Sequence, residues 1–109
     1  MPGFSNASRT LLYDIKENHW SSEICELFGI PESALPEVLP SSSRFGTTSA
    51  TTAIGAGIPV SGIAGDQQSA LFGQACLEPG MTKNTYGTGS FVLMNAGSEC
   101  PDPAEGLLT

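Results

Sequence analysis

The chain has 109 residues and a formal net charge of −7, because eleven acidic residues oppose four basic ones. Four scattered cations cannot form the continuous positive surface that duplex nucleic acid requires, which excludes nucleic acid as an expected partner. No apolar run approaches the length of a membrane-spanning helix, about 20 residues, so we expect no membrane partner either. At this length the chain is one small domain or a piece of a larger protein.

The three cysteines, Cys25, Cys76 and Cys100, are far apart in the sequence. Their odd number and wide spacing exclude a dense disulfide framework and a C-x-x-C metal site. Scattered thiols without a signal-peptide pattern are typical of a protein from the reducing cytoplasm. We therefore expect a cytoplasmic protein whose own residues form no metal site.

The first third of the chain predicts two short helices. Apolar residues at spacings of three and four favour a helical turn within residues 5–20, centred on 11–15. Segment 21–29 begins with serines, which accept hydrogen bonds from free backbone N–H groups, and ends at a glycine that suits a left-handed stop. We expect the aromatic residues Trp20 and Phe28 to anchor the core.

Residues 31–57 contain proline, serine and small residues without a periodic pattern. Two interpretations stay open: a flexible linker, or connecting strands of a larger sheet whose partners are absent. A structureless loop of this length is unusual in a compact domain, which favours the hypothesis that the chain is an excerpt.

Segment 58–64 predicts a short buried strand. The chain then turns at Gly65, and we expect Asp66 to cap a helix over residues 67–76. Apolar residues cover most of the circumference of this helix, so we expect it to be packed on several sides.

Segments 82–86 and 90–95 flank the triplet Gly87-Thr88-Gly89. This pattern predicts a β-hairpin with two glycines free to adopt positive φ. The second strand is apolar on both faces, as is typical of a strand inside a covered sheet.

Two places on the predicted elements suit chemistry. Asp66, at a strand-to-helix turn, is a carboxylate that can accept the proton of an attacking hydroxyl, and Gln67 offers a donor and an acceptor to a polyol. At the hairpin tip, Gly87 and Gly89 allow backbone N–H groups to approach an anion, and Thr88 adds a hydroxyl. The alternatives are a simple helix cap and an ordinary turn.

Four segments resemble the FGGY carbohydrate kinase family, and in particular its members that phosphorylate glycerol. They are 6–10 (NASRT), 61–68 (SGIAGDQQ), 70–74 (ALFGQ) and 83–89 (KNTYGTG). The likeness runs from about residue 5 to the last residue. We expect the chain to be a central fragment of such a kinase.

The resemblance implies an α/β fold. The chain is expected to be a fragment of a ribonuclease-H-like, actin-like ATPase kinase with two domains, a strand–helix unit followed by a β-hairpin. Residues 5–76 correspond to the C-terminal part of the first domain, and residues 77–109 to the start of the second. The cleft between the two domains of the family holds the active site.

The activity that the resemblance implies is transfer of the γ-phosphoryl group of ATP, with Mg²⁺, to the terminal hydroxyl of glycerol, giving sn-glycerol 3-phosphate. Asp66 matches the catalytic base and, with Gln67, the glycerol contacts of the family. Thr88 matches the threonine that contacts the ATP phosphates, with Gly87 and Gly89 shaping its turn. Glycerol and ATP are the expected partners of the parent, and a homo-oligomeric parent stays open.

This sequence also departs from the family pattern. Other glycerol contacts and the adenine pocket lie outside it, so we expect the isolated chain to be inactive. Some bacterial members carry an arginine-containing loop where fructose 1,6-bisphosphate binds, whereas here the loop is 55–57 (GAG), which predicts that this regulation is absent. Two other interpretations stay open: a slice of another FGGY sugar or polyol kinase, and a non-catalytic acidic module that binds phosphate.

Overall fold

Residues 1–102 and 104–109 are described by a computed structural model, and the chain divides into two units, Met1–Ala64 and Gly65–Thr109. Short helices and two-stranded antiparallel sheets make up both units. Within the described residues, every helix is too short or too polar to cross a lipid bilayer.

The N-terminal unit begins with helix α1, Phe4–Ala7, which is followed by strand β1, Tyr13–Asp14, and strand β2, His19–Trp20. The two strands pair antiparallel. The predicted helical turn at residues 11–15 is therefore wrong, since this segment forms a bend and the first strand of a hairpin.

Asp14 explains why the chain turns here instead of continuing a helix. Its Oδ1 accepts hydrogen bonds from the backbone N–H groups of Lys16 at 2.8 Å and Glu17 at 2.9 Å. Asn18 then adopts a left-handed φ of 57°. Short polar side chains of this kind compete with helical backbone pairing by closing turns. The hydrogen bonds from Glu17 and Lys16 hold the pKa of the Asp14 carboxyl below its usual value.

Helix α2, Ser22–Leu27, follows directly, as the sequence predicts. Ser21 is its N-cap residue, and its side chain accepts a hydrogen bond from the backbone N–H of Ile24 at 3.3 Å. Gly29 adopts a φ of 64°, the left-handed conformation predicted for the helix stop. The predicted serine cap at the start of the helix and the glycine stop at its end are therefore both confirmed.

The core of this unit is small. Ala7 and Cys25 are its buried apolar side chains, at 0% and 1% exposure. Trp20 is half-buried and donates from Nε1 to the carbonyl oxygen of Pro36 at 2.9 Å. The expectation that Phe28 anchors the core is wrong, because its side chain is 65% exposed.

The second half of the N-terminal unit contains a 3₁₀ helix, Glu32–Ala34, and strand β3, Ser42–Thr47. Strand β4, Pro59–Gly62, pairs antiparallel with β3, with an irregular register between Ser42 and Gly46. Residues 42–47 thus belong to a sheet and are not a flexible linker. All four β4 residues are exposed, so the predicted burial is wrong, since a two-stranded sheet covers little of its own surface.

The C-terminal unit consists of helix α3, Asp66–Gly73, and strands β5, Thr82–Tyr86, and β6, Ser90–Met94. The two strands form a hairpin with five consecutive residue pairs, from Thr82 opposite Met94 to Tyr86 opposite Ser90. The predicted hairpin is confirmed.

Helix α3 differs from the prediction at both ends. Gly65 is the N-cap residue, and Asp66 is the first helical residue. The helix ends at Gly73, before the predicted end at residue 76, and Ala75 has a left-handed φ of 56°. All eight helical residues are exposed or half-buried, with Phe72 at 75% exposure, so the expected packing on several sides is wrong.

Candidate functional site

The start of α3 presents Asp66 in its first turn. The carboxylate is exposed, and its Oδ1 accepts the backbone N–H of Gln67 at 2.8 Å. The side-chain Nε2 of Gln67 lies 3.4 Å from Oδ2 of the same carboxylate. A negative charge is favoured at a helix N-terminus, where N–H groups lack intrahelical partners. The carboxylate of Asp66 is therefore exposed to solvent, while each of its two oxygens lies near an N–H group of Gln67.

Lys83 links this helix to the hairpin. It lies on β5, where burial alternates so that Lys83 and Thr85 share the inward face. The ammonium group donates hydrogen bonds to Oε1 of Gln67 and to Oγ1 of Thr85, the latter at 2.6 Å. The lysine side chain is only 5% exposed. One buried cation thus connects the first turn of α3 with the strand that leads to the hairpin tip.

The hairpin tip consists of Gly87, Thr88 and Gly89. The N–H of Gly87 donates to the carbonyl oxygen of Gly89 at 2.9 Å, which closes the loop and leaves Thr88 at its exposed apex. Neither Gly87 nor Gly89 uses the freedom to adopt a positive φ. At Gly89 the requirement is steric, because a Cβ atom would lie 3.0 Å from the ring of Phe91.

The structure thus joins Gln67, and Asp66 beside it, to the hairpin that carries Thr88. Thr88 lies three residues beyond Thr85 on the same hairpin. The sequence reasoning missed Lys83. One signal could have found it: one of only two lysines in the chain stands two positions before a threonine in a predicted strand.

A separate groove of about 370 Å³ lies in the N-terminal unit. Its walls include Phe4, Tyr13, Trp20 and residues 35–38. The rings of Tyr13 and Trp20 meet edge to face with their centroids 5.2 Å apart, and burial raises the pKa of the Tyr13 hydroxyl. The residues that the sequence predicts for the functional site lie elsewhere, in the C-terminal unit.

Histidine, cysteine and carboxylate side chains do not gather in threes anywhere in residues 1–102 and 104–109, so this part of the chain holds no group that could bind a metal ion by itself.

Comparison with known proteins identifies the family. Residues 2–73 match the N-terminal domain of the FGGY family of carbohydrate kinases. The chain belongs to this family. The resemblance predicted from the four sequence segments is therefore confirmed.

Individual relatives are glycerol kinases. The chain is 58% identical over 106 residues to the glycerol kinases of Carboxydothermus hydrogenoformans and Halorhodospira halophila, a match that covers 97% of this chain and 21% of each relative. A crystal structure of Plasmodium falciparum glycerol kinase with ADP superimposes with a TM-score of 0.84 at 44% identity. That match covers 90% of this chain and 20% of the Plasmodium chain. This chain thus spans about a fifth of the length of these relatives.

Proposed function

We propose that this chain supplies part of the active site of a glycerol kinase, which transfers the γ-phosphoryl group of ATP to the terminal hydroxyl of glycerol and gives sn-glycerol 3-phosphate. The identity to glycerol kinases over 97% of the chain supports the activity. The observation that carries the site is the Lys83 bridge, because it joins the helix start bearing Asp66 to the hairpin bearing Thr88.

The proposed fold of the whole kinase is the two-domain, ribonuclease-H-like architecture of actin-like ATPases. In this proposal residues 5–76 end the first domain and residues 77–109 begin the second. The family match over residues 2–73 supports the first assignment.

Asp66 is the proposed general base and a glycerol ligand. Each carboxylate oxygen can accept more than one hydrogen bond, so both keep capacity for a substrate hydroxyl beside the bonds from Gln67. A carboxylate held this way accepts the proton as the hydroxyl attacks phosphorus, the role of an aspartate in many phosphoryl transfers.

Gln67 is the proposed second glycerol ligand. Its amide oxygen is occupied by the Lys83 ammonium, while its NH₂ group has two protons and only one can point to Asp66. The remaining N–H is available to a glycerol oxygen. A substrate hydroxyl between Gln67 and Asp66 would then receive one hydrogen bond and donate another.

Thr88, Gly87 and Gly89 are the proposed phosphate contacts. Thr88 is exposed at the loop apex, where its hydroxyl can donate to a phosphate oxygen. The flanking glycines carry no side chains that would hold an anion away from the backbone. The structure of the Plasmodium glycerol kinase was solved with ADP. This supports the proposal that the present protein also binds a nucleotide.

ATP is the proposed phosphoryl donor, and Mg²⁺ the proposed metal. Magnesium is usually held by one or two carboxylates together with substrate phosphates and water, and it neutralises the charge on the phosphoryl group. The described residues form no metal-binding cluster, so the ion would arrive with the nucleotide, held by its phosphates and by water. The protein's own contribution remains the orientation of the hydroxyl and of the phosphates.

We place the protein in the cytoplasm. Its three cysteines are free thiols, a state that a reducing compartment maintains. Glycerol and ATP are its proposed partners, and the absence of nucleic acid and membrane partners stays a prediction from composition.

The test uses a chimera in which this chain replaces the matching 106-residue segment of the Carboxydothermus glycerol kinase. We expect the chimera to phosphorylate glycerol with ATP and to prefer glycerol over pentuloses such as xylulose and ribulose. The same kinase without the segment is the control. A preference for a pentulose would favour another FGGY kinase as the source. A folded chimera that binds nucleotide without turning over any substrate would favour the non-catalytic module.

A further inference from the structure

Lys83 is a buried cation whose hydrogen-bond acceptors are neutral. Charged side chains are seldom buried unless they are paired, since removing a charge from water is costly. At 5% exposure, the ammonium group contacts an amide oxygen on Gln67 and a hydroxyl oxygen on Thr85. This arrangement contributes little to stability, because a methionine of similar length could fill the same space without the cost of removing an ammonium group from water.

The ammonium group fixes which way the Gln67 amide faces. A lysine ammonium can only donate hydrogen bonds, so the amide must present its oxygen to Lys83. The NH₂ group then necessarily faces the other way, and there it meets Oδ2 of Asp66. With the amide reversed, an NH₂ group would oppose the ammonium and the amide oxygen would oppose the carboxylate.

Thr85 ties this orientation to the hairpin. Its hydroxyl accepts from the same ammonium at 2.6 Å, and its backbone lies in the paired part of the hairpin, opposite Phe91. The backbone pairing of the hairpin therefore fixes Thr85, and the Lys83 ammonium, bound to Thr85, fixes the position of the Gln67 amide relative to the hairpin. Hydrogen bonds in such a chain also polarise one another, which strengthens the bond from Gln67 to the carboxylate.

We propose that Lys83 is a positioning residue of the glycerol site: it acts through Gln67 to orient Asp66, and it sets the helix start in register with the hairpin that carries Thr88. This inference rests on the proposed function. Lys83 does not contact glycerol in this account, so its loss should affect glycerol use more than the binding of ATP.

The first experiment tests the contact on the 109-residue chain itself, without any activity. The chain has two lysines, Lys83, which is buried, and Lys16, which is exposed. During brief labelling with an amine-acetylating reagent, we expect Lys83 to react at least about tenfold more slowly than Lys16, since it reacts only when the structure opens. Gln67→Ala should raise the Lys83 rate several-fold and leave the Lys16 rate unchanged. Equal labelling of the two lysines in the unsubstituted chain would overturn the proposal.

The second experiment measures kinetics in the chimera. For Lys83→Met we expect kcat/KM for glycerol to fall by about 10- to 100-fold, as misplaced catalytic groups do, with the KM for ATP within about threefold of the unsubstituted value. Lys83→Arg keeps the hydrogen-bond donors and the positive charge, so its kcat/KM for glycerol should fall less than that of Lys83→Met. Lys16→Met is the matched control and should change neither constant.

A double-substitution cycle separates positioning from a structural role. If Lys83 acts through Gln67, the pair Lys83→Met with Gln67→Ala should be no worse for glycerol than the more severe single substitution. Additive losses, or a parallel fall in melting temperature and in the use of both substrates, would contradict positioning. If the unsubstituted chimera does not phosphorylate glycerol, the proposed function fails, whereas the labelling result still decides whether Lys83 holds Gln67.

Discussion

The two units of the molecule bury different kinds of side chain. In the N-terminal unit the buried side chains are those of Ala7 and Cys25, small and apolar. Among the described residues of the C-terminal unit the buried side chain is the charged Lys83, which connects polar groups of α3 and β5. Burial of apolar atoms stabilises a fold directly, whereas a buried charge is weak evidence for stability. The N-terminal unit therefore has a small apolar core, whereas the C-terminal unit has a buried polar contact.

This difference predicts that substitutions in the C-terminal unit affect turnover and that substitutions in the N-terminal unit affect stability. The single tryptophan, Trp20, belongs to the N-terminal unit, so its fluorescence reports the unfolding of that unit.

The largest effect is expected at Asp66. Asp66→Asn in the chimera should lower kcat for glycerol phosphorylation by roughly 10²- to 10⁴-fold, because the amide cannot accept the hydroxyl proton. The melting temperature of the chimera should stay unchanged, since the Asp66 side chain is exposed. A variant with full turnover would show that Asp66 is only a residue of the first helical turn.

Thr88 is expected to give the next largest effect. Thr88→Ala in the chimera should cost about 1.5–3 kcal/mol in ATP use, measured as kcat/KM for ATP, because it removes a hydrogen bond to a charged phosphate. Thr88→Ser, which keeps the hydroxyl, is the matched control and should retain most of the activity. Unchanged ATP kinetics in the alanine variant would reject the phosphate contact.

In the N-terminal unit, Gly3 should affect stability. A Cβ atom there would lie 2.7 Å from the carbonyl oxygen of Ile63, so the backbone must shift to accommodate alanine. We expect Gly3→Ala to destabilise the 109-residue chain by about 1–3 kcal/mol in denaturant titrations followed by Trp20 fluorescence. At Gly62, in the same unit, the nearest atom to a Cβ would be the carbonyl oxygen of Ser41 at 3.9 Å, an ordinary contact, so Gly62→Ala is the control. Equal stabilities of the two variants would contradict the close approach at Gly3.

The smallest effect is expected from the titration of Asp14. Its pKa is lowered by backbone hydrogen bonds from Glu17 and Lys16. The ionised carboxylate therefore contributes to stability above the unfolded pKa, about 3.9, and this contribution is lost as the pH falls through the lower folded value. A carboxyl ¹³C titration should place the Asp14 midpoint below that of a free aspartate. In Asp14→Asn, acid-induced opening of the β1–β2 hairpin in this pH range should disappear. A midpoint at or above the usual value would show that the turn does not bind the carboxylate.

Local patterns predicted the fold best where they determine backbone conformation by themselves. The hairpin of β5 and β6 and the serine cap and glycine stop of α2 were all predicted. The helical turn at residues 11–15 was not, because a single carboxylate, Asp14, closes a turn that apolar spacing does not reveal. Burial was predicted least well, as Phe28 and β4 illustrate, since it depends on which elements pack together.

For the candidate site, sequence patterns predict Asp66, Gln67 and Thr88 but not the contact from Lys83 to Gln67. Asp66 and Gln67 stand out because they follow a strand, and Thr88 because glycines flank it. Lys83 stands out less, because its contact with Gln67 forms only when α3 packs against β5. The roles of Asp66, Gln67, Thr88, Gly87 and Gly89 stay predictions that the experiments above test.

A crystal structure of the chimera with glycerol and a non-hydrolysable ATP analogue would show whether Asp66 and Thr88 bind the two substrates. We expect a terminal oxygen of glycerol within hydrogen-bonding distance of the Asp66 carboxylate, and a phosphate oxygen within hydrogen-bonding distance of Oγ1 of Thr88, in one shared cleft. Glycerol and triphosphate bound away from these two side chains, or in separate cavities, would contradict the account.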